Sequence, residues 1–227
     1  MSRLRLFGRW PDDVDVWRVS IPEEITDWPS VEGHLSEDER LRASRYLRDK
    51  DRLRFAVTRA ALRALLVERT GVPAETLGFT LGPNGKPALD DYPQVRFNVT
   101  HSGQHALIAM ADLRQVGVDV QVVDPALCWR EMLALVCTAN ERRMIISTPE
   151  DSQSLMFFRC WTGKEAILKA RGVGIAEGLL CVSRDLLSPG GQRLGDPASD
   201  EASVRTFFQL HWLTEIAGYA ACIAFET

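Results

Sequence analysis

The chain of 227 residues predicts an α+β protein made of two similar halves, residues 1–115 and 116–227. Three observations carry that expectation. Each half contains one long helical pattern, Arg52–Thr70 in the first and Ser154–Ala170 in the second. Each helix is followed by short strand-like runs. Each half then closes on an apolar run, Ala106-Leu107-Ile108-Ala109 and Ala220-Ala221-Cys222-Ile223-Ala224.

Taken in order, Val14–Ile21 alternates as a strand does and stops at Pro22. Ser36, followed by Glu37, Asp38 and Glu39, is a helix start: its hydroxyl can cap free amides and the acids suit the positive end of the dipole. In Arg52–Thr70, Phe55, Leu62, Leu65 and Leu66 share one face, and Gly71 and Pro73 end the helix. Strands are expected near Leu77–Leu81, Val95–Val99 and His105–Ala111, with a turn over Pro83–Pro87. After the second helix, strands are expected near Gly178–Ser183, Val204–Leu210 and Tyr219–Phe225, and a surface loop over Ser188–Ser199.

Composition narrows the function classes. An apolar fraction of 45% and a net charge of −4 describe a soluble globular chain with no general affinity for nucleic acid. No apolar run reaches the ~18 residues that span a bilayer. Met1–Trp10 carries arginines without a signal-peptide core, which predicts no export. Five scattered cysteines without a Cys-x-x-Cys pair predict reduced thiols in the cytoplasm rather than structural zinc or disulfides. Arg40, Arg42, Arg45, Arg48, Lys50, Arg52, Arg54 and Arg59 crowd one segment, which is either a solvated helix face or a site for a multiply charged anion.

Candidate chemistry sits in four places. Glu165 and Lys169 lie one turn apart on the second helix beside Trp161; alone, such a pair is a surface ion pair worth about 0.2–0.5 kcal/mol. Asp119, between Val118 and Val120, reads as an inward carboxylate on a strand, and needs a cationic side chain or a metal as partner. Asn98–Gly103 reads as a strand leaving into a glycine turn that presents Thr100 and His101 to an anion, and Lys86 rides the Asn84–Pro87 turn.

The order of these pieces resembles the surfactin-synthetase class of 4′-phosphopantetheinyl transferases. The matching segments are Gly85-Lys86-Pro87, Phe97-Asn98-Val99-Thr100-His101-Ser102-Gly103, Gly117-Val118-Asp119-Val120 and Trp161-Thr162-Gly163-Lys164-Glu165-Ala166-Ile167-Leu168-Lys169, with the basic segment before them. The resemblance implies a pseudo-twofold fold with coenzyme A and Mg²⁺ between the halves. It implies transfer of phosphopantetheine to a serine of an acyl or peptidyl carrier protein, with release of 3′,5′-ADP, by a monomer. Residue by residue it implies Asp119, Glu165 and Gln121 around the metal; Thr100, His101, Lys86, Arg42, Arg54 and Lys169 on coenzyme A; and Glu165, Lys169 and His101 in catalysis. Gln121 stands where the family often has a second acid; its amide oxygen can ligate magnesium but brings no charge. Glu39 stands where some members carry a phosphate-binding lysine. Trp129, Met132 and Arg142 are candidates for carrier docking. A rival reading, favoured only by Gln121, is a non-catalytic module that binds coenzyme A or a carrier protein.

Overall fold

The two apolar runs, Ala106–Ala111 and Ala220–Phe225, are buried on both faces, and this fixes the layering. The computed structural model describes residues 1–4, 11–24, 28–124, 126–174, 178–182, 193–195 and 207–227. One antiparallel sheet has the order β1 (Ser2–Arg3), β2 (Asp15–Ser20), β6 (His105–Asp112), β5 (Val95–Ser102). The other has the order β7 (Val116–Val122), β10 (Tyr219–Glu226), β9 (Phe207–Trp212), β8 (Arg193–Gly195). Along β6, Leu107, Ala109 and Ala111 join a central core with Val116, Val118 and Val120 of β7 and Ala221, Ile223 and Phe225 of β10. The alternate residues Ala106, Ile108 and Met110 face an outer core with helix α3 (Asp49–Thr70). Ala220, Cys222 and Ala224 face helix α6 (Glu150–Arg171) in the same way. The layers are therefore helix, sheet, sheet, helix. A strand covered on both faces reads as a continuous apolar run instead of alternating.

The two sheets also meet edge to edge, where β5 runs beside β7. Side chains bridge this seam: the Val118 amide donates to Asn98 Oδ1 at 2.9 Å, and the Val122 amide donates to Ser102 Oγ at 3.1 Å. Between them Thr100 Oγ1 donates to Asp119 Oδ1 at 2.9 Å. Asn98, Thr100 and Ser102 alternate along β5, so all three leave the strand on the same side.

Glycine decides how closely α6 approaches. A Cβ at Gly117 would collide with the backbone of Ala166 and Ala170, so α6 lies directly on β7. That contact sets Glu165 and Lys169 over Asp119. Both long helices end on a left-handed glycine, Gly71 and Gly172, each with φ of 72°.

Around the first helix the expectations hold closely. Helix α1 (Trp28–Glu32) precedes α2 (Glu37–Ser44), which starts at Ser36 in a complete capping box with Glu39. Glu39 is buried against two arginines: Arg59 at 2.6 Å and Arg63 at 2.6 Å. Burial pulls its carboxyl up, but the Arg63 hydrogen bond, the Arg59 charge and the Ser36 amide outweigh it, and the net shift is downward. A carboxylate with a lowered folded value contributes stability that is present above its ordinary value near 4.5 and is lost as pH falls through the folded value. Glu39→Gln is therefore expected to lower stability at neutral pH and to flatten the loss of stability below pH 4.5, as read by urea unfolding at stepped pH. An unchanged acid limb removes Glu39 as its source.

Other expectations are corrected. The segment expected as a strand at Gly178–Ser183 forms a 3₁₀ turn at Leu179–Cys181. Gly178 has φ of 86°, and Leu179 and Val182 are buried three residues apart, a helical spacing rather than an alternating one. The expected loop at Ser188–Ser199 lies outside the described residues except for Arg193–Gly195, which pairs with β9 as β8. Residues 204–206 of the expected Val204–Leu210 strand also lie outside them. His101 was expected in a turn, but β5 continues through Ser102, and the reversal is made by Gly103 and Gln104. The expected Pro83–Pro87 turn forms and closes a small hairpin of β3 (Phe79–Leu81) and β4 (Pro87–Leu89).

Two helices, α4 (Trp129–Val136) and α5 (Ala139–Ser147), were not expected. Trp129 is 3% exposed and stacks at 5.6 Å on Phe157, so it belongs to the core and is not a docking residue. The reason is spacing: Trp129, Met132, Leu133 and Val136 form one helical stripe packed on α6. Arg142 is exposed.

Candidate active site

Asp119 and Glu165 come from the two elements that Gly117 holds together. Asp119 leaves β7 on the face turned to α6, opposite to Val118 and Val120. It is 6% exposed, and its Oδ1 accepts from Thr100 and, at 2.6 Å, from the Lys169 ammonium. Lys169 thus reaches across to β7. The expected pairing of Glu165 with Lys169 is not the one formed, because Thr100 fixes the Asp119 oxygen as a ready acceptor.

Glu165 is left in an unusual state for a buried acid. It is 6% exposed, and its Oε1 has no hydrogen-bond partner among the described residues. Burial, above all, raises its carboxyl above the ordinary value; the Asp119 charge adds to this and Lys169 partly offsets it. A buried carboxylate oxygen without a donor is costly. Two carboxylates facing one another with one free oxygen form a donor set suited to a hard divalent cation such as magnesium.

Positive charge surrounds the pair. Burial, then Arg54 and Lys169, lower the value of His101, which places these three groups in one field. Arg54 is anchored by Asp51 at 2.9 Å and by the Gly103 carbonyl at 3.4 Å. A groove of about 370 Å³ runs past Glu165 and Lys169, with Asn84, Lys86, Asn98 and Gly172 among its walls. Lys86 ties the start of β7 to the end of α6: its ammonium donates to Gln115 Oε1 and Val116 O at 3.2 Å and to Ala170 O at 2.9 Å. Burial, with help from Arg96, lowers Lys86 to about 8.

The structure brings together Asp119, Glu165, Lys169 and Thr100, with His101 and Arg54 within electrostatic reach and Lys86 on the groove wall. Gln121 follows Asp119 on the same face of β7 and is half-buried. Arg42 stands apart from the groove lining, exposed, with its guanidinium 5.1 Å from the centre of the Phe55 ring.

One residue that supports the site escaped the sequence reading. Lys164, next to Glu165, is fully buried and donates to Glu141 Oε2 and Val136 O, both at 2.7 Å. Glu141 closes the α5 capping box with Thr138. The signal was present in Thr138-Ala139-Asn140-Glu141, which has the spacing of such a box.

Both halves of the chain match known protein families. Residues 115–224 match the family model of the 4′-phosphopantetheinyl transferase superfamily, and residues 21–112 match that of the 4′-phosphopantetheinyl transferase N-terminal region. A candidate 4′-phosphopantetheinyl transferase of Synechocystis is 37% identical over 159 residues, 68% of this chain and 65% of that protein. The chain thus spans about two thirds of that relative's length. The 4′-phosphopantetheinyl transferase HetI of Nostoc is 33% identical over 73% of this chain and 71% of its own length. The 4′-phosphopantetheinyl transferase psf-1 of Bacillus pumilus is 29% identical over 78% and 74%. With both family models matched in chain order and HetI similar over most of its length, the chain belongs to the 4′-phosphopantetheinyl transferase superfamily of enzymes.

Proposed function

We propose that this chain transfers 4′-phosphopantetheine from coenzyme A to a serine hydroxyl of an acyl or peptidyl carrier protein, releasing 3′,5′-ADP in a magnesium-dependent reaction. The observation that carries this reading is the unpartnered, buried Glu165 Oε1 facing Asp119 beside Lys169. Asp119, Glu165 and the Gln121 amide would hold the ion. When bound, magnesium would neutralise charge on the pyrophosphate.

The chain's own residues account for the rest. The serine oxygen bonds to the phosphorus next to pantetheine, and the bond from that phosphorus to the bridging oxygen of 3′,5′-ADP breaks. Glu165, whose raised proton affinity suits a base, accepts the serine proton. Lys169 offers its charge to the pyrophosphate and the leaving oxygen. Thr100 keeps Asp119 oriented by its hydrogen bond. His101 and Arg54 extend the positive field to the outer phosphates, with Arg42 at the 3′-phosphate. Lys86, fixed by three acceptors, shapes the wall on the nucleotide side.

The reading includes a division into residues 1–115 and 116–227 about a pseudo-twofold axis, with the substrate cleft between them. In support, each sheet sets its last strand between an earlier strand and its hairpin partner: β2-β6-β5 and β7-β10-β9. It also includes a monomer, because one chain supplies both cleft walls. A cytoplasmic location agrees with free thiols at Cys128, Cys137, Cys160 and Cys222, and no helix among the described residues is long and apolar enough to cross a membrane.

Incubation of apo carrier proteins with the chain, coenzyme A and magnesium is expected to add the mass of one phosphopantetheine, and EDTA to abolish the gain. No gain across fatty-acid, polyketide and nonribosomal-peptide carriers overturns the proposal. A non-catalytic module would bind coenzyme A equally with and without magnesium and turn nothing over.

A further inference from the structure

Behind the catalytic helix lies a pair of thiols that the transfer reaction does not use. Cys137 ends α4 and Cys160 sits on the inner face of α6, with 1% and 0% of their surfaces exposed. Their sulfurs share a hydrogen bond 3.7 Å long. Glu141 approaches both sulfurs to within 4.8 Å. Its Oε1 has no partner, while its Oε2 is taken by Lys164 and the Thr138 amide.

Two thiols and a carboxylate could suggest a metal site. The Lys164 ammonium neutralises that carboxylate at 2.7 Å and, wholly buried, has nowhere to withdraw when a dication enters, unlike the part-exposed Lys169 beside Asp119. The chemistry left to the cluster is that of the sulfurs themselves. We propose that Cys137 and Cys160 form a reversible intrachain disulfide, with hydrogen peroxide as the oxidant, that ties the end of α4 to α6 one turn before Lys164 and Glu165.

The electron balance is simple. The Cys137 thiolate attacks one peroxide oxygen; an S–O bond forms, the O–O bond breaks, and hydroxide leaves and is protonated to water. The Cys160 sulfur then attacks the Cys137 sulfur; the S–S bond forms and the hydroxyl departs as water with the Cys160 proton. Overall two thiols lose two electrons and two protons, and one peroxide becomes two waters. Cys137 is the group that reacts first: its hydrogen bond with Cys160, aided by the Lys164 and Arg142 charges, lowers its thiol, whereas the same bond and burial raise that of Cys160. Peroxide reaches the pair through α4, a helix of 8 residues with no side-chain cap at its start, the kind of element that opens locally.

The test uses the full chain with the exposed thiol removed, Cys128→Ser. It is treated with hydrogen peroxide under native conditions, alkylated, digested without reductant and mapped by mass spectrometry. The expected product is one cross-linked peptide pair joining Cys137 to Cys160, two hydrogens lighter than the separate peptides and returned to free thiols by dithiothreitol. In Cys160→Ser the pair is absent and Cys137 accumulates as its sulfenic or sulfinic acid. The proposal is overturned if both thiols remain alkylatable, if they oxidise as independent sulfinic acids, if the cross-link uses Cys181 or Cys222, or if the purified chain holds zinc that protects both sulfurs. Should Cys160→Ser fail to fold, the map of the Cys128→Ser chain decides alone.

Discussion

Glu165→Gln is expected to lower phosphopantetheine transfer by about two orders of magnitude or more while leaving the protein as stable as the parent, or more so. The direction of each effect has a separate cause. The amide has the shape of the carboxyl and fills the same space, so packing against α6 and β7 is kept. It removes a carboxylate whose burial and whose neighbour Asp119 oppose ionisation, so the folded state loses an unfavourable charge. Under the proposed function it also removes the acceptor for the serine proton and a charge that would complement Asp119 around the ion; removing a general base or a charge-stabilising group costs on the order of 10²–10⁴ in rate. Urea unfolding and the carrier-loading assay on the same preparation check the split. Activity near that of the parent sinks the role given to Glu165. A loss of stability together with activity shows instead that Glu165 is a packing residue.

Lys164→Met carries the largest expected cost to stability, about 3–5 kcal/mol, since it leaves the Glu141 carboxylate charged and buried without its partner. The Val136 carbonyl loses its donor in the same step. The double variant Lys164→Met with Glu141→Gln is expected to recover part of the loss, because the orphaned charge is gone. Denaturant midpoints of the three proteins form the check. Equal midpoints for the single and double variants refute the ion pair as the cause. Its neighbour is expected to behave in the opposite way: Lys164→Met costs stability, whereas Glu165→Gln costs transfer activity.

The sequence made α3 legible because its apolar face ends at Gly71 and Pro73, and the start of α2 legible because Ser36 caps it. Asp119, Glu165 and Lys169 were legible through the spacing of their segments. Their pairing was not, since it depends on which acceptor Thr100 holds still, and Thr100 lies on another strand. Helices α4 and α5 were missed because they are short, and their apolar stripe is meaningful only against α6. Lys164 was missed for a related reason: a lysine is read as solvated unless its buried partner, here 23 residues away, is known.

The bridge between β5 and β7 gives Val118 and Val122 an unusual standing among strand amides. Their donors are answered by Asn98 and Ser102 side chains instead of by a partner strand. Along this seam the two sheets are joined by three replaceable side chains, like pins in a joint, in place of a ladder, while their faces are held by the core of Leu107, Val118, Val120 and Ile223. Changing those pins is expected to re-aim Asp119 without unmaking either sheet, so the alignment of the proposed catalytic centre can be tuned by mutation separately from the fold that carries it.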